Sequence, residues 1–208
     1  MTGTVALQGG GAFTANDDLD RRLLTAVAAT RVVVLPTADA FEHPERLVAA
    51  ATAWGERIGV EVEALMVLRR ADALDSARAQ MLRGATAIYL VGDQPLHLRS
   101  VFKDTPSWEA ILDVHRGDGL IVGCAGSAAG LCDPMVDPRG GAFTLGLGLV
   151  NGLAVVTQAE NWSADRLHRT MALANTPVAI LPTGAALVRT NHVWAQVGAV
   201  ELRGELPV

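Results

Sequence analysis

The run Gly123-Cys124-Ala125-Gly126-Ser127-Ala128-Ala129-Gly130 is the stretch of this chain best suited to chemistry. It follows Leu120-Ile121-Val122, an apolar strand pattern, and its small residues suit a sharp turn into a helix. A nucleophile elbow has that form, and its turn is so tight that residues two before and two after the nucleophile must be small. Ser127 meets this condition, with Ala125 and Ala129 flanking it. Cys124 meets it less well, because Val122 stands two residues before. The backbone N–H of Ala128, with that of Gly92 or Asp93 from a neighbouring strand end, is expected to form an oxyanion hole. The plain alternative is a tightly packed turn of small residues.

Strands and helices must alternate to hold such a turn. Short apolar runs at Thr4-Val5-Ala6-Leu7-Gln8, Arg31 to Leu35, Val60 to Val67, Ala87 to Val91 and Leu120 to Gly123 read as strands. Between them, helical spacing covers Asp17 to Ala29, Pro44 to Ile58, Asp75 to Arg83, Leu96 to Phe102 and Ser107 to Arg116. The strands are continuous apolar runs, so both sheet faces are covered, as in a parallel sheet flanked by helices. Further on come a strand at Leu153 to Val156, a helix at Asp165 to Ala174 and a short strand at Ala179-Ile180-Leu181. Ala186 to Thr190 and Val193 to Val197 then flank Asn191-His192, a hairpin turn signal. The expected fold is a three-layer α/β arrangement, a mainly parallel doubly wound sheet with a C-terminal antiparallel hairpin. Residues 1–208 read as a single domain without linker or repeat, and Asp133 to Gly141 as a mobile surface loop.

In an open parallel sheet the ligand crevice lies beyond the carboxyl ends of the strands. The segments leaving those ends are Gly9-Gly10-Gly11, Pro36 to Asp39, Gly92-Asp93-Gln94, Cys124 to Gly130 and Thr157 to Trp162. Gly10, Gly11, Gln94 and Gln158 are therefore candidate substrate-binding residues.

Composition narrows the partners. The 208 residues carry 22 acidic against 17 basic side chains, a formal charge of -5, and half are hydrophobic. That balance has no basic footprint for nucleic acid and no polybasic membrane patch. No apolar stretch approaches the roughly 18 residues of a membrane span. The first eleven residues lack a charged n-region and a cleavage site, so a cytoplasmic protein is expected. Cys124 and Cys132 cannot make a disulfide framework and match no zinc spacing, and His43-Pro44-Glu45 lacks a third ligand nearby. No metal or cofactor is expected. A nucleotide site at Gly9-Gly10-Gly11 is disfavoured, because the Gly-x-Gly-x-x-Gly spacing is absent.

Taken in order, these pieces resemble a known family. Ala87 to Leu96, Asp104-Thr105-Pro106 and Gly119 to Gly130 look like the dipeptidase E and cyanophycinase family of serine peptidases. So do Gly9-Gly10-Gly11, Val33 to Ala38, Leu145 to Leu149 and the closing hairpin, which brings nearly the whole chain into the resemblance. The resemblance implies a fold like that of class I glutamine amidotransferases. It also implies a Ser-His-Asp/Glu hydrolase acting on acidic dipeptides or aspartate-rich polymers, so a small peptide or acidic small molecule is the expected partner. A homodimer is a further expectation.

The chain departs from the family where the chemistry should be. The family's Gly-x-Ser-Ala-Gly is here Ala125-Gly126-Ser127-Ala128-Ala129; matching Gly123 to the first family glycine instead puts Ala125 at the nucleophile position. After Leu153 to Val156 the family has Asp-Gln-His-Phe, whereas this chain reads Thr157-Gln158-Ala159-Glu160, with Ala159 in place of the general base. Glu160 stands at that loop as a weaker candidate, and Asp133 and Asp137 lie where the acidic third member falls. Two readings follow: a serine hydrolase using Ser127 with an unusual base, or a catalytically silent relative that binds a small molecule or a partner.

Overall fold

The computed structural model describes residues 3–207. Five strands run parallel: β1 (Thr4–Gln8), β2 (Arg31–Leu35), β3 (Glu61–Ala64), β4 (Ala87–Val91) and β5 (Leu120–Cys124). Their spatial order is β3-β2-β4-β5-β1. The last strands of this sheet, β12 (Ala186–Thr190) and β13 (Val193–Val197), add antiparallel beyond β1.

Period-two alternation divides the strand residues between two cores. Val5, Leu7, Ile88, Leu90 and Ile121 face one side, where α4 (Ser76–Arg83), α5 (Pro95–Phe102) and α6 (Pro106–Arg116) pack with α7 (Gly126–Leu131). Ala6, Val32, Val34, Tyr89 and Val122 face the other, against Leu19, Leu23 and Leu24 of α1 (Asp17–Ala26) and Trp54 of α2 (Pro44–Ile58). Helix ends follow local chemistry. The Thr105 hydroxyl accepts from Trp108 N–H at 3.3 Å ahead of Pro106, and α2 ends at Gly59 with φ 81°. The α/β fold with a mainly parallel sheet and an antiparallel C-terminal pair is thus as expected.

Some elements lie outside the sequence reading. A one-turn helix, α3 (Arg70–Ala73), precedes α4. A second, three-stranded sheet joins β10 (Ala154–Thr157), β11 (Val178–Leu181) and β14 (Glu201–Arg203), and α8 (Ala164–Leu173) packs beside it. The segment expected as a loop carries part of β6 (Cys132–Asp133) paired with β9 (Val150–Asn151), and β7 (Met135–Val136) paired with β8 (Phe143–Thr144). Met135 and Val136 are buried, so this segment is anchored by apolar contact. Among the described residues, no helix is long and apolar enough to cross a membrane.

Candidate active site

The carboxyl ends of β1, β4, β5 and β10 converge on one crevice, tied by backbone bonds. Ala125 N–H donates to Gln8 O at 3.0 Å, Gln158 N–H to Gly9 O at 2.8 Å, and Ser127 N–H to Gly92 O at 2.9 Å. Close approach demands glycine at two of these places. A Cβ on Gly126 would lie 2.4 Å from the Asp93 carbonyl, and one on Gly92 would lie 2.6 Å from the Asp39 carboxylate.

Between β5 and α7, the residue in the strained turn is Ala125, with φ 58° and ψ -131°. L-residues avoid that region, and an elbow imposes it on the residue it presents. Ser127 instead sits in the first turn of α7, with no solvent exposure and its Oγ 3.4 Å from Gly92 O. Its burial corrects the expectation that Ser127 faces the crevice as nucleophile. The helix explains the error: the hydroxyl two residues past the turn points back under β4. Cys124 is also buried, and desolvation pushes its thiol far above the ordinary range.

Two of the three expected oxyanion donors, Ala128 and Asp93, are otherwise engaged. Ala128 N–H donates to Ala125 O at 3.0 Å within the helix start, and Asp93 N–H donates to an Asp39 carboxylate oxygen at 2.6 Å. The Asp93 carboxylate in turn accepts from Gln158 Nε2 at 3.1 Å and faces the N–H of Gly126. Partial desolvation at the rim of the crevice raises the Asp93 carboxyl above its usual value despite those two donors. Burial likewise raises Asp39.

Gln158 has φ 48° and brings its side chain into the crevice. Its neighbour Ala159 packs on the apolar cluster of β10 and α8. Glu160, expected near the base position, turns away and accepts from the N–H and hydroxyl of Thr183, which hold its carboxyl below the usual range. That shift leaves it a weaker base than a free glutamate. A Cβ on Gly10 would press on Gln158 and Thr183. Gly11 starts the turn into α1 by accepting from Thr14 and Ala15, and Gln94 caps α5 at the exposed rim; neither lines the cleft. No histidine lines it either: His97 bonds Leu68 O at 2.9 Å, and His43 pairs with Glu45 at the surface. Among the described residues, no three His, Cys, Asp or Glu side chains gather as metal ligands.

The cleft itself holds about 240 Å³ and is lined by Asp93, Gly126, Gln158, Asn161, Trp162 and Arg166, among others. Arg166 escaped the sequence reading. Its Cζ lies 3.6 Å from the Trp162 ring centroid, and its Nε and Nη2 are shielded from water without a hydrogen-bond partner among the described residues. Desolvation lowers the guanidinium's pKa, and only the nearby Asp137 charge opposes that. One signal was available in the sequence: an arginine in a helix's first turn opposes the helix dipole and needs another reason to be there.

Comparison with solved structures bears on the fold. A peptidase from an acI-B1 Actinobacterium superposes with a TM-score of 0.85 at 23% identity, over 96% of this chain and 88% of that one. A protein from Listeria monocytogenes EGD-e, provisionally named Peptidase E, superposes with a TM-score of 0.69 at 16% identity, over 98% of both chains. This chain therefore has a peptidase-like fold. The sequence matches no family model and no curated protein.

Proposed function

We propose that this chain is a non-hydrolytic relative of the dipeptidase E type that binds a small acidic ligand in its crevice. The observation that carries the reading is the Arg166 guanidinium, desolvated and unpartnered beside Trp162 in a cleft of amino-acid or dipeptide size. Two shielded N–H groups without acceptors are costly, and a ligand carboxylate satisfies both once a shift of the guanidinium on the Trp162 ring opens them to the cleft. Gln158 and Asn161 offer amide groups along the same wall, and Asp93 supplies a negative counterpart for an ammonium group.

Hydrolysis lacks support at both required positions. A methyl group stands at the elbow, and the hydroxyl of Ser127 is enclosed with only a carbonyl oxygen beside it. Loss of nucleophile and base removes the covalent route, leaving binding and residual polar stabilisation.

Titration calorimetry with Asp-X dipeptides tests the reading, beside a turnover assay on the same samples. Binding without turnover is expected, with thermal stabilisation of about 2.7 kcal/mol at a hundredfold excess over Kd. Arg166→Gln should abolish the binding heat while leaving the unliganded melt near the parent's. Turnover that disappears in Ser127→Ala would restore the peptidase reading. Absence of binding by any acidic dipeptide would remove the ligand assignment.

A further inference from the structure

The two edges of the seven-stranded sheet differ in chemistry. At one edge, β3 carries Glu61 and Glu63, and Glu63 pairs with Arg31 at 2.8 Å. Edge charges of this kind discourage pairing with another strand. At the other edge, β13 reads Val-Trp-Ala-Gln-Val, with neither charge nor proline. Among the described residues, no strand pairs with its outer side. Val193 at its start is 70% exposed, and Ala195 at its centre is exposed as well.

Register shows which groups face outward. Asn191 and His192 form the two-residue turn, with φ 48° and 65°, the signature of a type I′ hairpin. In such a hairpin the flanking residues exchange both backbone bonds, and bonded pairs then alternate along the ladder. Thr190 opposes Val193, Val188 opposes Ala195 and Ala186 opposes Val197, so these three residues of β13 bond inward to β12. The N–H and C=O groups of Trp194 and Gln196 therefore point out from the open edge.

We infer that β13 pairs antiparallel with β13 of a second copy of this chain, about a two-fold axis through Ala195. That register sets Trp194 against Gln196 of the partner as a bonded pair, twice by symmetry. Ala195 then meets Ala195 of the partner as a non-bonded pair, where Cα atoms approach to about 4.5 Å. Only a small, uncharged residue suits that centre. On the same face, each Val193 lies opposite Val197 of the partner, completing an apolar stripe. An antiparallel strand pair is self-complementary, so the interface closes at two copies instead of propagating. It is a narrow interface, which places the dimer among weak, concentration-dependent associations.

Sedimentation equilibrium of the full chain, carried to submillimolar concentration, tests the pairing. The weight-average mass should rise toward twice the monomer's. Ala195→Glu and Ala195→Lys set like charges face to face across the axis, and each variant alone should stay monomeric with an unchanged melt. An equimolar mixture of the two should associate again, because glutamate then faces lysine. A monomeric parent would overturn the inference. So would association that persists in either single variant, or a mixture that fails to associate. None of these outcomes depends on the crevice ligand.

Discussion

Asp20 is a carboxylate on α1 that is 1% exposed, held against the sheet face by residues of β1 and β4. It accepts from Gln8 Nε2 at 2.7 Å and from the Tyr89 hydroxyl at 3.1 Å, while the Trp54 indole N–H faces it without closing a bond. Desolvation outweighs these donors and raises its carboxyl from 3.8 to about 6. The sign of the linkage follows. The folded chain holds this proton more tightly than the unfolded one, so the extra stability is complete below about pH 4 and lost as pH rises through about 6. The raised carboxyls of Asp39 and Asp93 act in the same direction. Asp20→Asn keeps an acceptor for Gln8 and Tyr89 but cannot ionise. Urea melts at pH 4 and pH 7 should show the parent losing up to about 3 kcal/mol more than the variant across that interval. Equal losses in both would mean that Asp20 titrates normally in the fold.

The junction of β5 and α7 holds its strain in one residue. Ala125 lies at φ 58° and ψ -131°, a region costing on the order of 1–3 kcal/mol for an L-residue. Glycine enters that region freely, so Ala125→Gly should relieve the strain and offset the lost methyl burial. Ala128→Gly, fully buried within the same helix, has no strain to relieve and should cost on the order of 1–2 kcal/mol. Denaturant midpoints should therefore place Ala125→Gly above Ala128→Gly by about 1 kcal/mol or more, and equal losses would show an unstrained elbow. The same turn marks the limit of what sequence discloses. β2, α2, β4, β12 and β13 lie within the spans that apolar runs and stop signals such as Pro36, Gly59 and Asn191-His192 predict. The two-residue strands β6 to β9 are too short to carry a period, and β14 has a single apolar residue between two charges. In the crevice, Gly92, Asp93 and Gln158 were legible as strand-end residues. The elbow's register was not, because Ala125 and Ser127 both have small neighbours and only the backbone angle separates them. Arg166 was illegible for another reason: on α8 it resembles any solvated arginine until Trp162 and the cleft surround it.

Across the whole molecule, one apolar cluster runs between the two sheets. Leu7 and Leu187 of the large sheet belong to the same buried group as Val155, Ala179 and Leu181 of the small one. Backbone bonds reinforce the junction, with Gln158 N–H on Gly9 O and Gly9 N–H on Ala185 O at 2.8 Å each. Close packing also leaves no room there: a Cβ on Gly9 would lie 2.2 Å from Pro182 O. Opening the small sheet alone would strip water-free contacts from the large sheet's core, so partial unfolding exposes apolar area on both sides at once. One cooperative transition is the expected result. The tryptophans supply local reporters, since Trp54 is buried under the large sheet and Trp162 packs with the cluster of β10 and α8. Two variants, each retaining one of these and carrying phenylalanine at the other three tryptophan positions, should show fluorescence transitions that coincide with far-ultraviolet dichroism of the same sample. Substituting buried tryptophans lowers stability, so the comparison is made between probes within each variant and not between variants. A Trp162 signal that melts at lower denaturant than the dichroism would reveal the small sheet as a separate unit and overturn the single-unit reading.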